Sequence, residues 1–401
     1  MISRLLVGDC RYHPRIILKR PYRKKPKSLH NSKKSSTFAA AKVLNKMAIE
    51  LEKGSVERAA EWLGKAQHVV VLTHMAPDGD AMGSALAMYN FVKGERLKVK
   101  GERTVQVIVP NEFASFYQWM PGAQEILVYE KSKEACNAAL DAADLIVCTD
   151  FNDPKRIGPV GEKLVACTCP KILIDHHPYP VDFADVVFSF TEACSASEIV
   201  YRVLKEYSSQ DSGSLITAEV ATCIYTGMMT DTGNFSFAST RAEIYEIIAE
   251  LVRAGAQKDA IYNAIFNQHS ENRMRLWGYA LYRKMRIYPE YHAALITLDA
   301  DELDRYHHQV GDTEGLVNMP LQIADVYYSV FIREERAKPG TPHSRIRLSF
   351  RSQGDRPVNV FANEIFHGGG HPNASGGELY GTVGQAVRLF ERNIPKYLRK
   401  D

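Results

Sequence analysis

Short apolar runs rich in β-branched residues alternate with longer helical patterns between residues 55 and 240. Runs of this length and composition are typical of strands that are buried on both faces of a sheet. The expected strands lie near 69–73, 104–109, 144–149 and 171–174, and the helical patterns cover 81–96, 195–207 and 217–229. Because parallel strands need long crossover connections, the alternation predicts an α/β fold with a mainly parallel, doubly wound sheet.

Side chains that can bind metals follow the apolar segments directly. A further apolar segment ends near Thr230. We expect Asp231 to follow this segment in the same way as the other candidates follow the ends of strands. The candidates expected at the carboxyl edge of the sheet are His74, Asp78, Asp80, Asp150, Asp175, His176, His177 and Asp231. Binding sites form at this edge in doubly wound sheets. Imidazole and carboxylate groups suit divalent ions such as Mn²⁺, and ions about 3.5–4 Å apart commonly cleave phosphate esters.

Ordinary structural roles compete with metal binding at these positions. An aspartate is a favoured helix cap, which would explain Asp78 or Asp80 but not both together with His74. Asp231 could instead form an Asx turn, and Asp150 taken alone would be weak support. Two adjacent histidines after a buried strand cannot both face the core, because successive side chains point to opposite sides. Metal binding explains all these positions together, whereas capping and turn formation explain them singly.

A change of composition predicts a second, smaller α/β domain over 286–401. The expected elements are strands at 291–298, 326–332 and 345–351 and helices at 358–366 and 384–399. We assign 47–240 to the catalytic domain. Residues 241–285 lack a strand signal and are expected to form a helical linker.

Six glycines accompany one histidine between Gly368 and Gly381. Their backbone N–H groups could bind a phosphate, with His371 donating to an oxygen. Alternatively, the glycines serve only a tight bend between a strand and a helix. The density of glycines beside a histidine favours the anion site.

Basic charge is concentrated at the N-terminus. Residues 1–46 hold 13 of the 50 Lys and Arg residues but only one acid, Asp9, so the rest of the chain is net acidic. We expect this tail to be disordered, and three interpretations stay open: a nucleic-acid-binding arm, an organellar transit peptide, or a start codon placed too far upstream. An amphipathic helix expected to begin at Met47 favours the last.

Cysteine usage and hydropathy bear on the compartment. The seven cysteines are scattered, odd in number and without a usual zinc-site spacing, which indicates a reducing, cytoplasmic location. No apolar run approaches the roughly 18 residues of a transmembrane helix, so no membrane partner is expected.

Taken together, these motifs resemble those of the DHH–DHHA1 phosphoesterase family from about residue 55 to the C-terminus. The matching segments are His74–Ser84, Asp150, Asp175-His176-His177, Asp231 and, for the second domain, Gly368–His371. The NrnA-type subgroup of nanoRNases and pAp phosphatases is the most similar. The segment Asn373–Gly377 departs from the Ala-Ala-Gly pattern of many relatives, which puts the detailed contacts of the glycine-rich backbone in doubt.

The resemblance implies two bound divalent ions, with Mn²⁺ preferred. It implies that one ion is bound by His74, Asp78 and Asp150. It implies that the other is bound by Asp80, Asp150, His176 and Asp231. Asp150 would therefore bridge the two ions.

The resemblance also implies roles outside the metal ligands. His177 would lie beside the scissile phosphate, and Asp175 would orient the histidine pair. The residues that would hold a substrate phosphate or terminal nucleotide are Arg351, His371, the backbone of Gly369 and Gly370, and, as a weaker candidate, Arg345.

The activity implied by the resemblance is Mn²⁺-dependent hydrolysis of short oligoribonucleotides (nanoRNA), of pAp, or of both. Hydrolysis of cyclic di-AMP or pApA is the alternative, because it needs the same metals and a similar pocket. A family II pyrophosphatase is disfavoured by the glycine-rich segment, and a RecJ-type exonuclease would need further nucleic-acid-binding domains. A metal-free nucleotide- or RNA-binding regulator is the non-enzymatic alternative. The expected partners are short RNA or nucleotide substrates, and a homodimer is left open.

Overall fold

A computed structural model describes residues 49–94, 103–209, 216–337 and 340–398. The basic tail over 1–46, including its predicted disorder, lies outside these residues, as does Met47. In the described part of the chain, no helix combines the length and the apolar character needed to cross a membrane.

The first sheet contains six parallel strands in the order β3-β2-β1-β4-β5-β6. Its strands are β1 (His68–Leu72), β2 (Thr104–Val109), β3 (Leu127–Val128), β4 (Leu145–Thr149), β5 (Lys171–Asp175) and β6 (Val186–Ser189). The chain builds outward from β1 to β3 and then returns to build β4 to β6 on the other side. This reversal leaves a crevice at the carboxyl ends of β1 and β4, where ligands bind in such sheets. The predicted doubly wound parallel sheet is confirmed.

Helices cover both faces of this sheet, as the side chains of β1 require. Val69 and Val71 belong to one hydrophobic cluster, whereas Val70 and Leu72 belong to the cluster on the opposite face. The first cluster includes α1 (Lys53–Lys65), α2 (Gly79–Lys93), α5 (Ala196–Ser209) and α6 (Ala218–Asp231), and the second includes α3 (Lys133–Ala142) and α4 (Pro159–Ala166). Because strand side chains alternate in direction, an entirely apolar strand needs cover on both sides.

Three further helices follow: α7 (Ala242–Ala254), α8 (Lys258–Phe266) and α9 (Glu271–Tyr279), which continues into a π-helical turn, Ala280–Lys284. Ile244 of α7 and Ile261 of α8 pack into the core of the first sheet. Leu276 of α9 packs instead beneath the second sheet. These helices therefore connect the two cores, while the predicted domain boundaries, including those of the linker over 241–285, stay predictions.

The second sheet is mixed and has the order β11-β12-β10-β9-β8-β7. Its strands are β7 (Arg286–Tyr288), β8 (Ala293–Leu298), β9 (Tyr328–Glu335), β10 (Arg345–Ser352), β11 (Gly369–His371) and β12 (Ala374–Tyr380). Within this second sheet, β8 and β9 are the only described strands that pair in parallel. Helices α11 (Asn359–Phe366) and α12 (Val383–Tyr397) cover one face through Phe361 and Phe390, and α9 and α10 (Ala300–Arg305) cover the other.

Two local predictions were wrong, and one alternative is excluded. Asp231 ends helix α6 and does not follow a strand. The helix expected from Met47 begins only at Lys53, after an irregular stretch over 49–52. The glycine-rich segment, for which no strand was predicted, forms the antiparallel strands β11 and β12, which excludes the alternative of a bend between a strand and a helix. A side chain at Gly368 would collide with the carbonyl group of Gly376, so close backbone approach explains this glycine.

Candidate metal centre

One group of potential ligands lies between the loops that follow β1 and β4. His74 Nε2 lies 3.3 Å from Asp150 Oδ2 and 3.8 Å from Asp78 Oδ1. His74 Nδ1 lies 3.0 Å from the carbonyl oxygen of Met75, which leaves Nε2 to face the carboxylates. These three side chains can therefore approach a single ion.

A second group lies between β5, α2 and the end of α6. His176 Nε2 lies 3.8 Å from Asp80 Oδ2 and 3.6 Å from Asp231 Oδ2. The same nitrogen lies 3.5 Å from Asp150 Oδ1. Asp150 therefore presents one carboxylate oxygen to each group, because its other oxygen faces His74.

Asp150 is held in an unusual backbone conformation. Its φ angle is +63°, in the left-handed region that aspartate tolerates better than most residues. Its N–H donates to the carbonyl group of Ile174 at 3.0 Å, which fixes the turn against β5. Although Oδ1 is buried, no group in the described residues donates a hydrogen bond to it. Burying such an oxygen is costly, and a bound cation would compensate for the missing donor.

The two aspartates at the start of α2 have different partners. Asp78 Oδ1 accepts hydrogen bonds from the N–H groups of Asp80 and Ala81, both at 3.1 Å, so Asp78 does cap the helix. Asp80 accepts instead from the N–H groups of Ala196 at 2.6 Å and Ser197 at 2.9 Å, at the start of α5. Capping thus explains Asp78 in part and leaves the burial of Asp80 to be explained by another role.

Asp175 contacts only one of the two histidines that follow it. Its carboxylate accepts from the backbone N–H of His177 at 3.0 Å and lies 2.8 Å from His177 Nδ1. His176 Nδ1 lies instead 3.4 Å from the carbonyl oxygen of Ala193. The structure therefore has Asp175 orient His177 alone, whereas the resemblance implied that it orients both rings.

Comparison with known proteins agrees with this geometry. Residues 68–228 match the DHH family, N-terminal domain. The chain belongs to the DHH family. Its metal-binding candidates all fall in or directly beside the matched region, so the family assignment and the geometry concern the same site.

Relatives of this DHH protein extend over most of its length. Several of them are named bifunctional oligoribonuclease and PAP phosphatase NrnA, among them the two that follow. The Bacillus subtilis protein is 26% identical over 317 residues, which cover 78% of this chain and 89% of the relative. The Thermus thermophilus protein is 27% identical over 313 residues, which cover 78% and 84%.

A solved structure, an exopolyphosphatase-related protein from Bacteroides fragilis, is 42% identical to this DHH protein. It matches 86% of this chain and 97% of its own length with a TM-score of 0.77. With the family match, these relatives make the chain a phosphoesterase hydrolase.

The second domain of this DHH protein contacts the candidate metal ligands through His371. The His371 ring centroid lies 4.5 Å from that of His176 and 4.4 Å from that of His177. Its Nε2 is buried, and no hydrogen-bond partner for it lies in the described residues. Burial and the neighbouring His176 lower the pKa of His371 to about 3, so its ring is neutral at physiological pH. The candidate site therefore lies between the two sheets, with His371 from the second sheet beside His176 and His177 from the first.

Arg351 also reaches this cleft, whereas Arg345 does not. Burial lowers the pKa of Arg351, against the attraction of Asp231 and Asp78, and a guanidinium there remains charged. Arg345 lies six residues away along β10, about 20 Å at roughly 3.3 Å per residue. It is paired there with Glu378 and Glu335.

The two glycines predicted to bind phosphate lie beside His371 in β11. Gly370 has a φ angle of +135°, and a Cβ atom there would lie 2.6 Å from the carbonyl oxygen of Ala374. Hairpin packing therefore accounts for Gly370 without a ligand. Gly369 faces open space, since a Cβ atom at this position would meet nothing within 4 Å.

Burial, neighbouring carboxylates and neighbouring imidazoles shift the pKa values of the clustered aspartates in different directions. Burial and the charges of Asp150 and Asp231 raise the pKa of Asp80 well above its usual value. Burial raises the pKa of Asp231 to about 7. Burial alone would raise the pKa of Asp150, but the imidazoles of His176 and His74 hold that pKa well below its usual value. The cluster thus lacks positive charge, which bound cations would supply.

Two charged residues near the site were missed by the sequence analysis. Arg156 follows β4, and its carbonyl accepts from the Met75 N–H at 2.9 Å. Burial and the charge of Arg156 together lower the pKa of His177 well below its usual value. Glu314 accepts a hydrogen bond from the Tyr117 hydroxyl at 2.7 Å, and burial raises its pKa to about 7. Arg156 lies within six residues of Asp150, which was a usable signal, but nothing in the sequence marks Glu314.

Proposed function

We propose that this protein hydrolyses short oligoribonucleotides, pAp or both, with two divalent ions, Mn²⁺ by preference. The observation that carries the proposal is the position of Asp150, whose two carboxylate oxygens face two separate groups of ligands. The names of the two NrnA relatives support the substrate class.

The donor set fits the ions that the proposal requires. Each group combines imidazole nitrogen with carboxylate oxygen, a mixture that suits Mn²⁺ and related ions. The buried Oδ1 of Asp150 has no hydrogen-bond donor in the described residues, and a cation would satisfy it. When bound, two such ions lower the pKa of a shared water and offset the charge of the phosphoryl oxygens.

His177 is placed to exchange a proton with the substrate. Its Nδ1 and backbone N–H are both engaged by Asp175, which fixes the ring and leaves Nε2 for a ligand. Because the pKa of His177 is lowered, mainly by burial, the ring is neutral, and a ring that donates its Nδ1–H to Asp175 presents Nε2 to the substrate as an acceptor of a hydrogen bond or a proton.

Arg351 and His371 supply the contacts of the second domain. The charged guanidinium of Arg351 can bind phosphoryl oxygens, and its electrostatic partners Asp231 and Asp78 place it beside the ligands. His371 is neutral and adds a hydrogen bond without adding charge. The cleft between the sheets would then limit the length of the substrate that fits.

A substrate panel in Mn²⁺ tests the assignment. It contains pAp, di- to pentaribonucleotides, pApA, cyclic di-AMP and pyrophosphate. We expect the highest kcat/KM for pAp or the short ribonucleotides. A preference for cyclic di-AMP or pApA would establish the alternative activity, and exclusive cleavage of pyrophosphate would contradict the proposal.

Substitution of the shared ligand tests the use of two ions. Asp150→Asn should abolish turnover while the protein keeps its fold, because one side chain serves both groups. Asp153→Asn is the matched control: Asp153 accepts from the Lys155 N–H at 2.9 Å in the same loop, and asparagine can keep that bond. If Asp150→Asn retained more than about a tenth of the wild-type kcat, a loss of only about 1.4 kcal/mol, the bridging role would be refuted.

A further inference from the structure

A buried ion pair lies behind the second group of ligands. Glu198 in α5 is fully buried, and Arg241, just before α7, is 8% exposed. One Arg241 nitrogen donates to both carboxylate oxygens of Glu198, at 2.7 and 2.6 Å. Arg202 donates to the same carboxylate at 2.8 and 2.9 Å. Removing one member of such a pair leaves a buried charge uncompensated. The two side chains are therefore held together, and they fix the position of the backbone that contacts them.

Glu198 shapes the backbone that precedes it. Its Oε2 accepts from the N–H of Cys194 at 2.8 Å, and its own N–H donates to Ser195 Oγ at 3.0 Å. The carboxylate therefore holds the turn at the start of α5 from inside the protein. We name residues 193–197 the ligand-support segment.

The ligand-support segment contacts two candidate metal ligands. The N–H groups of Ala196 and Ser197 donate to the two oxygens of Asp80, at 2.6 and 2.9 Å. The carbonyl oxygen of Ala193 lies 3.4 Å from His176 Nδ1. An imidazole that donates through one nitrogen presents the other to a metal, and such supporting contacts fix the orientation of ligands.

Close packing transmits any shift of this segment to the ligands. Gly227 of α6 lies so near that a Cβ atom there would collide with Ser197 Oγ and lie 2.8 Å from Asp80 Oδ1. Interiors packed this tightly do not absorb a displaced backbone without moving neighbouring groups.

We infer that Glu198 and Arg241 are positioning residues for Asp80 and His176, and that their ion pair sets the metal affinity of the Asp80–His176–Asp231 group. Neither residue is among the proposed metal ligands or substrate contacts. The inference rests on the proposed function, because it assumes that this group binds a metal. It predicts a selective effect. None of the hydrogen bonds described above joins the ligand-support segment to His74 or Asp78, so the group that contains these two residues should keep its metal affinity.

Glu198→Gln tests the inference in the full chain. Glutamine replaces one acceptor by an amide NH₂ that faces the guanidinium of Arg241, so the pair is broken with little change of volume. Glu250→Gln is the matched control. Glu250 also contacts α5, through the Tyr201 hydroxyl at 2.6 Å and Lys205, but on the exposed side and away from the ligand-support segment.

The primary measurement is Mn²⁺ binding to metal-free protein, by calorimetry and by electron paramagnetic resonance, without substrate. We expect wild type and Glu250→Gln to bind two ions. Glu198→Gln should bind one ion normally and the other about ten- to a hundredfold more weakly, the scale typical of lost supporting contacts. Turnover of the variant should recover at high Mn²⁺ with KM little changed.

Arg241→Lys provides a second variant if Glu198→Gln fails to fold, because lysine keeps the charge but loses the planar guanidinium that fixes the geometry of both hydrogen bonds. A variant that keeps the wild-type melting temperature and binds both ions normally would overturn the inference. Equal weakening of both ions would overturn it as well, since that result indicates a general structural role. If wild type itself failed to bind two ions, the proposed function would fail first, so the two failures are distinguishable.

Discussion

The division of labour between the two domains can be tested with His371→Ala. His371 comes from the second domain, while every proposed metal ligand comes from the first. Its pKa of about 3 makes the ring a neutral donor. The variant therefore loses one hydrogen bond from a neutral group to a charged phosphate. Such bonds contribute about 1.5–3 kcal/mol, which corresponds to roughly a ten- to hundredfold loss in kcat/KM.

The assay compares two substrates and counts the metals. The loss should be larger for pAp or a dinucleotide, which offer a terminal phosphate or nucleotide to bind, than for bis-p-nitrophenyl phosphate. The variant should still bind two ions, and the loss should be the same at pH 6 and pH 8, because the ring carries no charge at either pH. His371→Gln, which keeps a donor, should recover part of the activity.

Three results would refute this reasoning. Equal losses on both substrates would contradict a recognition role for the second domain. Loss of an ion from His371→Ala would make His371 a metal ligand, an arrangement that its proximity to His176 and His177 permits. A loss that grew at low pH would show that the charged ring acts, contrary to its lowered pKa.

The remaining predictions concern the tail, the domain contact and the packing of α6. Protein that begins at Met47 should match the full chain in kcat and melting temperature, whereas a large rise in KM for short RNA at low salt would support a basic binding arm. The pKa of Glu314 is raised from 4.5 to about 7, so wild type should lose stability as pH rises through this range. Glu314→Gln should then gain up to about 3 kcal/mol over wild type between pH 5 and pH 8 in urea unfolding of chelated protein, and a constant difference would contradict this. Gly227→Ala should cost about 1–3 kcal/mol in the same unfolding assay, because its Cβ atom would collide with Ser197. An unfolding free energy equal to that of wild type would show that α6 can move away.

The parallel sheet was predictable because its longer strands are mostly apolar and rich in β-branched residues. The predicted strand at 104–109 agrees at both ends, and those near 144–149 and 171–174 agree within one residue. The convergence of His74, Asp150 and His176 followed from the same rule, since parallel strands deliver their carboxyl ends to one edge. The sequence pattern was therefore sufficient to locate strands that are buried on both faces, because such burial requires apolar residues.

Other features depend on contacts that no local pattern records. Strands β11 and β12 were missed because glycines replace the alternating apolar residues that mark a strand. Asp231 was placed on the right edge but in the wrong element, because a short apolar run does not distinguish a strand from a helix end. The pair of Glu198 and Arg241 joins residues 43 positions apart, and only the packing of α5 against the segment after α6 brings them together.

A crystal of the protein grown with Mn²⁺ tests the central claim most directly, through the anomalous scattering of the metal. We predict two peaks about 3.5–4 Å apart, with one oxygen of Asp150 bound to each ion. His74 and Asp78 should complete one site, and Asp80, His176 and Asp231 the other. A single peak, or two ions of which Asp150 binds only one, would contradict the account.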